Sequence, residues 1–463
     1  MIDIKNIDGG YFIGIGGIGM SALARYFLNL KIPVAGYDRS ETPLTCSLSD
    51  QGCSIIYDDD PGLIPSFFRE AAEPQKIRVI FTPAIPGENK IISWFRDNGF
   101  TLYKRSEILG EISYHTDTLA VAGAHGKTTI STMIAHLLKQ SHVDCSAFLG
   151  GISKNYGSNL ITGSSRYTVM EADEFDRSFH RLHPLMAVIT SVDEDHLDIY
   201  GTHAALIEAY NIFCTRLKKD GILFINKSIQ DKIKIPEGII CHTYSASLEA
   251  DYMACNIKHL QGYYSFDMKI PGRIIEDIHF PFPGIVNIEN LTAAVSVALN
   301  CGVTEEELRK AILIFQGVRR RFDIRVNYPD LVYIDDYAHH PEEIRAFIKS
   351  VREYFGSRKI TGIFQPHLFS RTRDHAGGFA SILDELDSVM LLPIYPAREE
   401  PIPGISSEMI FDLMKLPDKR MVRPGELLSA IDVSGLDVLV TIGAGDIDKF
   451  VEPLEKKLTD YKK

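Results

Sequence analysis

Lys127 and Thr128 close the stretch GAHGKTT, which lies between the apolar run TLAV and the helix-like ISTMIAHLLKQ. A lysine and a hydroxyl at the mouth of a glycine loop suit phosphate binding. Backbone N–H groups and a helix dipole face the phosphate oxygens, the ammonium neutralises the β- and γ-phosphates, and the hydroxyl can meet Mg²⁺. The common pattern of Gly, four residues and Gly-Lys-Ser/Thr is not met, because Val121 stands where its first glycine belongs. The stretch is either a nucleotide loop of shorter design or a chance Gly-Lys-Thr at a helix start. Its setting between a strand and a helix favours the first.

Other chemistry-bearing residues collect at the ends of strand-like runs, where open parallel sheets bind ligands. VMEADEFD places Glu171, Asp173, Glu174 and Asp176 beyond YTV, and ITSVDEDHLD places Asp193, Asp195, His196 and Asp198 beyond MAV. Two acidic groups beside a phosphate loop suit a hard cation held by oxygen, although any one carboxylate can equally be a solvated charge or a helix cap. Gly14-Ile-Gly16-Gly17-Ile-Gly19 follows a strand and opens a helix, and Asp38 ends the next strand. That spacing reads first as an NAD loop with a ribose-binding acid. More widely it fits any diphosphate-bearing nucleotide, and at its plainest it is a packing turn. Asn287 is a helix N-cap or a base-binding amide, and Arg319, Arg320 and Arg321 are a solvated linker or a phosphate-neutralising group. IDDYAHHPEEI brings Asp335, Asp336, His339 and His340 to a strand end before a helix starting at Pro341. FQPHLFSRTRDH adds His367, Arg371 and Arg373 at what is expected to be the adjacent strand end, a setting for gripping a carboxylate bidentately.

The elements that must position these residues alternate strand and helix three times. A chain of 463 residues, 45% hydrophobic and 24% charged, is globular and too long for one ordinary core. The expectation is an α/β protein of three domains over 1–106, 107–316 and 317–463. The first block carries YFIGI, PVAGYD, SIIYD, RVIFT and TLYKR as strands. The second carries TLAVAG, YTVMEAD, MAVITSV and GILFIN, with a β-rich section from about Cys241 to Pro283. The third restarts with LVYIDD, KITGIF, SVMLLPIY and VLVTIG. A net charge of −12 and no long basic run exclude a nucleic-acid partner. Seven scattered cysteines without a CxxC pair argue for a reducing compartment. With no signal-peptide layout and no membrane span, the expected location is cytoplasmic.

In order along the chain, GIGGIGMSALA, AHGKTT, GGISKNYGSN, EADEFDRSF, DEDHLDIYGT, GVRRRF, DDYAHHPEEI, FQPH…SRTRD and YPAREEPI resemble the Mur ligase family over nearly the whole length. The resemblance implies a Rossmann-like N-terminal domain for UDP-sugar, a central P-loop ATPase-like domain with a mixed or parallel sheet, and a Rossmann-like C-terminal domain for an amino acid. It implies an early step of peptidoglycan synthesis, the ATP-driven joining of L-alanine to the lactyl carboxylate of UDP-N-acetylmuramate through an acyl phosphate. Gly123, Ala124, His125, Gly126, Lys127, Thr128 and Thr129 then form the ATP loop. Thr128, Glu171 and His196 match ligands of Mg²⁺, for which Mn²⁺ can substitute. Asn287 matches an adenine contact, Asp336 a ribose contact and Arg321 an arginine near the phosphates. Gly16, Gly17 and Gly19, with Asp38, face the UDP moiety, which displaces the NAD reading. Tyr337, His339 and Arg371 surround the incoming alanine, His339 and Arg371 together with Lys127 being the catalytic candidates. A monomer or weak homodimer without membrane insertion is expected.

Three positions depart from the family pattern. Val286 stands where a histidine is often found beside the adenine contact. Leu368 replaces an arginine after FQPH, leaving the alanine carboxylate to Arg371 and Arg373 and opening the pocket to glycine or serine. Tyr210 stands where many Mur ligases carry a carbamylated lysine, so that modification is not expected here. A recycling ligase that adds a whole peptide is the runner-up, and a catalytically dead scaffold is opposed by the intact Lys127, Thr128, Glu171 and His196. A dehydrogenase reading explains residues 14–38 alone.

Overall fold

A computed structural model describes residues 7–82, 85, 88–194, 197–260, 263–397 and 399–463. The first sheet is built from β1 (Gly9–Ile13), β2 (Val34–Tyr37), β3 (Ser54–Ile56), β4 (Ile77–Phe81) and β5 (Leu102–Lys104), in the order β3-β2-β1-β4-β5. Every pairing is parallel. β1 and β2 are buried along their whole length, as strands covered on both faces must be. Strand order reverses at β1, which places the glycine loop that follows it at the switch point of the sheet.

Among the described residues the second sheet has ten strands. These are β6 (Asp117–Ala122), β7 (Ser146–Ser153), β8 (Ser158–Ile161), β9 (Tyr167–Glu171), β10 (Met186–Ile189), β11 (Ile222–Asn226), β12 (Ile240–Ser245), β13 (Tyr252–Leu260), β14 (Tyr263–Ile270) and β15 (Arg273–Phe280). Their order is β15-β14-β13-β12-β11-β10-β6-β9-β7-β8. β6 lies between β9 and β10 and parallel to both, so the loops after all three open on one edge. β7 and β8 are antiparallel.

The third sheet comprises β16 (Asp323–Tyr328), β17 (Leu331–Asp336), β18 (Ile360–Phe364), β19 (Ser388–Leu391), β20 (Lys419–Met421) and β21 (Val438–Ile442), ordered β16-β17-β21-β18-β19-β20. β16 is an antiparallel edge strand, and the remaining pairs are parallel. The expectation that the DDYAHH and FQPH strand ends are neighbours is corrected. The last strand of the chain, β21, inserts between β17 and β18, because a doubly wound sheet does not keep chain order in space.

The chain folds into two compact units. One is Met1–His259, Ser265–Phe280 and Glu289–Gln316; the other is Leu260–Tyr264, Pro281–Ile288 and Gly317–Lys463. Within the first, the helix Ile18–Asn29 is buried between the first sheet and β7 and β8 of the second. Leu23 and Phe27 share a core with Phe12 of β1 and with Phe148 and Leu160, and Tyr26 meets Phe148 with ring centroids 5.2 Å apart. Asn159 of β8 fastens this helix: it accepts from the Arg25 guanidinium and donates to the Ile18 carbonyl and the Ser21 hydroxyl. Among the described residues no helix is long and apolar enough to cross a membrane. All seven cysteines are free thiols.

Candidate active site

The second glycine loop of the first unit, residues 123–126, runs from the end of β6 into the helix Lys127–Lys139. Its short design works because both glycines take left-handed backbone, φ 129° at Gly123 and 80° at Gly126. A Cβ at Gly123 would lie 2.0 Å from the Thr190 hydroxyl, and one at Gly126 would lie 2.9 Å from the Asn290 side-chain oxygen. The loop is tied to the segment after β10. Ala124 N–H donates to the Ser191 carbonyl, His125 N–H to Ser191 Oγ, and Thr190 Oγ1 to the His125 carbonyl. His125 Nε2 lies 3.7 Å from Asp193. Thr129 continues the first helical turn.

Lys127 Nζ donates to the carbonyls of Gly123 at 2.7 Å and Ala124 at 3.3 Å, and to Glu174 Oε1 at 2.8 Å. Burial alone would lower the pKa of this ammonium, but the carboxylates of Glu174, Asp173 and Glu171 outweigh it and hold the pKa above the ordinary lysine range. Thr128 Oγ1 donates to Glu171 at 2.9 and 3.0 Å, and the Gly150 N–H donates to the same carboxylate at 3.0 Å. These neighbouring hard oxygens at a helix start fit a magnesium ion, which keeps water and phosphate oxygens and so needs few protein ligands. His196, expected as a further ligand, and Asp195 lie outside the described residues. Among the described residues no group of three or more His, Cys, Asp or Glu side chains is gathered as a metal cage.

The first glycine loop is closed by two contacts. Gly16 N–H donates to Asp38 Oδ2 at 2.7 Å, so Asp38 braces the loop from the end of β2. Gly17 precedes the helix Ile18–Asn29, and a Cβ at Gly19 would fall 1.7 Å from a guanidinium nitrogen of Arg105. Arg105 also lies 3.8 Å from Asp173. Arg105 and Ser191 escaped the sequence reading. A lone arginine after a strand and a serine within an acidic run carry no pattern, and only the fold brings them to the loops.

In the second unit, β17 delivers Asp336 and Tyr337. Asp336 accepts from the N–H groups of Phe322 at 2.7 Å and Ala338 at 2.8 Å, and burial pushes its pKa up to about 6. Tyr337 sits under the guanidinium groups of Arg320, 5.2 Å away, and Arg321, 5.1 Å away. Arg320 is anchored on buried Asp335 at 3.1 Å and on the Gly443 carbonyl, which leaves Arg321 as the arginine of the triplet beside Tyr337 and without that anchor. His339 Nδ1 lies 3.0 Å from the Tyr337 carbonyl. Desolvation, with Arg371 and Arg321 acting in the same sense, lowers its pKa to about 4 against the pull of Glu343. The imidazole is therefore neutral near pH 7, and Nδ1–H donation to that carbonyl makes Nε2 the acceptor. His367 lies 5.9 Å from His339 ring to ring and 3.3 Å from Arg371 through Nδ1.

Leu368, at the cap of the helix Phe369–Leu383, has φ 71° and ψ 139°, a strained conformation for leucine. Glu399 caps the same helix through Ser370 N–H and Oγ. Asn287 lies inside the first turn of the helix Ile285–Asn300, past the cap position, which removes the N-cap alternative. Its Nδ2 donates to the Pro283 carbonyl at 2.6 Å. Val286 is exposed beside it, and Tyr210 is fully buried against Phe179 as a core side chain.

Residues 10–116 match the Mur ligase family catalytic domain, 121–298 the Mur ligase middle domain, and 320–445 the Mur ligase glutamate ligase domain. The chain is 49% identical over 458 residues to the UDP-N-acetylmuramate–L-alanine ligase of Parabacteroides distasonis, covering 99% of this chain and 98% of the relative. It is 44% identical to the enzyme of the same name from Flavobacterium johnsoniae, covering 99% and 100%. Among solved structures it is similar to the UDP-N-acetylmuramate–alanine ligase of Thermotoga maritima, with TM-score 0.82, 26% identity and coverage of 98% and 99%. A murein peptide ligase from Psychrobacter arcticus shares the fold at TM-score 0.70 and 20% identity, covering 98% of each chain. Three matched domains and near full-length likeness to these ligases together establish that the chain belongs to the Mur ligase family.

Proposed function

We propose that this protein joins L-alanine to the lactyl carboxylate of UDP-N-acetylmuramate with consumption of ATP, as the names of its relatives say of them. The observation that carries the reading is the arrangement of Lys127, Thr128 and Glu171 in a chain that matches alanine-adding ligases along its length. A lactyl carboxylate oxygen attacks the γ-phosphorus and ADP leaves, giving an acyl phosphate. The amine of alanine then attacks the acyl carbon, the C–O bond to phosphate breaks, and amide, inorganic phosphate and a proton are released. Such chemistry asks a protein chiefly for positioning and charge neutralisation.

In this reading residues 1–106 hold the sugar nucleotide, with Gly16, Gly17 and Gly19 toward its diphosphate and Asp38 bracing the loop. Residues 107–316 carry the ATP loop, where Lys127 compensates charge on the transferring phosphoryl group. Thr128 and Glu171, with His196, are assigned to Mg²⁺, which when bound supplies further charge compensation at the phosphates. Residues 317–463 take the amino acid. Arg371 grips its carboxylate, and neutral His339 accepts a hydrogen bond from its amine beside Tyr337. Asn287, Asp336 and Arg321 are assigned to adenine, ribose and phosphates in turn.

The test is phosphate release by the purified chain with ATP, Mg²⁺, UDP-N-acetylmuramate and L-alanine. Release must depend on both the sugar nucleotide and the amino acid. Release driven by a murein peptide in place of L-alanine would transfer the chain to the peptide-adding branch.

A further inference from the structure

The ammonium that the proposed reaction needs at the phosphates is already engaged. A lysine has three N–H donors. Two of those of Lys127 go to carbonyls of its own loop, Gly123 at 2.7 Å and Ala124 at 3.3 Å. The third goes to Glu174, whose side chain is 1% exposed against 14% for Lys127. With two donors turned to carbonyls of the loop, a phosphate oxygen approaching Nζ competes with this carboxylate for the third. The glutamate is itself held in place: its carbonyl accepts from the Tyr200 hydroxyl at 2.5 Å, and the preceding Asp173 caps the turn through the Phe175 N–H at 3.0 Å. The same turn reaches the other glycine loop, through Asp173 and the Arg105 guanidinium that covers Gly19.

We propose that Glu174 is a positioning residue that stands in for a phosphate oxygen. It holds Lys127 across the mouth of the loop while no nucleotide is bound, and it yields that place when a phosphate arrives. The inference rests on the reading of residues 123–129 as the nucleotide loop. Its energetic logic is that a largely buried ammonium without a counter-charge is costly; burial favours the neutral form of Glu174, and Lys127 in turn favours its carboxylate. The nucleotide must then compete with Glu174, and affinity is given up for a lysine that is already aimed.

The experiment is calorimetric titration of the full chain with the non-hydrolysable analogue AMP-PNP in the presence of Mg²⁺. Glu174→Gln keeps the shape and removes the charge, and should bind the analogue about tenfold more tightly than the parent, the size expected of a coupled neighbouring pair. Glu174→Asp shortens the reach and should move affinity the same way by less, and it decides the matter if the glutamine variant does not fold. In a Lys127→Ala background, Glu174→Gln should bring no gain. A steady-state assay should show the gain as a lower KM for ATP without a higher kcat, a split that general loosening of the fold would not produce. Unchanged or weaker binding in both Glu174 variants, or a gain that persists without Lys127, would overturn the proposal. Failure of the parent protein to bind AMP-PNP would overturn the loop reading with it, whereas binding indifferent to Glu174 overturns this inference alone.

Discussion

Lys127 and His339 are both partly buried in polar surroundings, yet their environments push them to opposite charge states. Carboxylates keep Lys127 an ammonium, while desolvation and two arginines keep His339 neutral. Lys127→Ala should lower turnover by at least about a hundredfold, the scale of losing one charge-stabilising group at a reacting centre. Circular dichroism should show an unchanged fold, and full retained activity would end the role given to it. For His339 the folded pKa of about 4 lies below the unfolded value of about 6.5. The unfolded chain therefore binds more protons between those values, and stability is lost as pH falls from 6.5 toward 4, by on the order of 2–3 kcal/mol. Asp336, raised to about 6, works in the opposite sense over pH 4 to 6. The readout is thus the difference between parent and His339→Gln in urea denaturation, which should shrink as pH falls from 7 to 4. The clustering of these residue types was legible in the sequence. Partners such as Glu174 for Lys127 were not, since nothing in EADE tells which carboxylate turns inward.

One helix is aimed by contacts made far away in the chain, and another is strained at its start. Asn159 of β8 holds the helix Ile18–Asn29 through Arg25, Ile18 and Ser21, and that helix carries the first glycine loop. Asn159→Ala should cost about 2–3 kcal/mol, because it leaves a buried guanidinium and a carbonyl without this partner. It should also weaken binding of UDP-N-acetylmuramate, measured by calorimetry, although Asn159 is not among the residues assigned to that ligand. An unchanged sugar-nucleotide affinity would mean that the helix is aimed by other contacts. At the start of the helix Phe369–Leu383, the positive φ of Leu368 suits glycine better than leucine. Leu368→Gly should raise stability by about 1 kcal/mol in thermal unfolding, because it relieves a backbone strain of that order. Competition among glycine, L-serine and L-alanine should show relaxed selectivity if Leu368 leaves the carboxylate grip to Arg371, and a strong alanine preference would reject that idea. Many strand and helix positions were readable from periodicity and glycine turns, but β7, β8, β16 and β20 were not among the strands expected. The insertion of β21 between β17 and β18 was not, because sheet order is set by long-range pairing that leaves no local mark.

At the scale of the whole molecule, the three sheets described are distributed over two compact units, with the first sheet and all of the second but the β13–β14 turn region in one of them. A chain so divided need not unfold in one step. Differential scanning calorimetry should resolve two transitions, and UDP-N-acetylmuramate alone should shift only one of them, by about 2.7 kcal/mol at a hundredfold excess over its Kd. A single transition moved as a whole would show that the two units unfold together. Three α/β blocks were evident in the sequence from the repeated alternation. The grouping of the first two sheets was hidden, since it rests on one helix face and a few side chains such as Asn159 and Phe148. That grouping has a use in inhibitor design. Both glycine loops belong to the unit spanned by the Asn159 clasp, so on the proposed reading of the two loops a molecule with an anionic head for each can be built on a stiff tether. Once one head is seated, the other would find its loop at high effective concentration, and the gain in avidity should disappear when Asn159 is replaced.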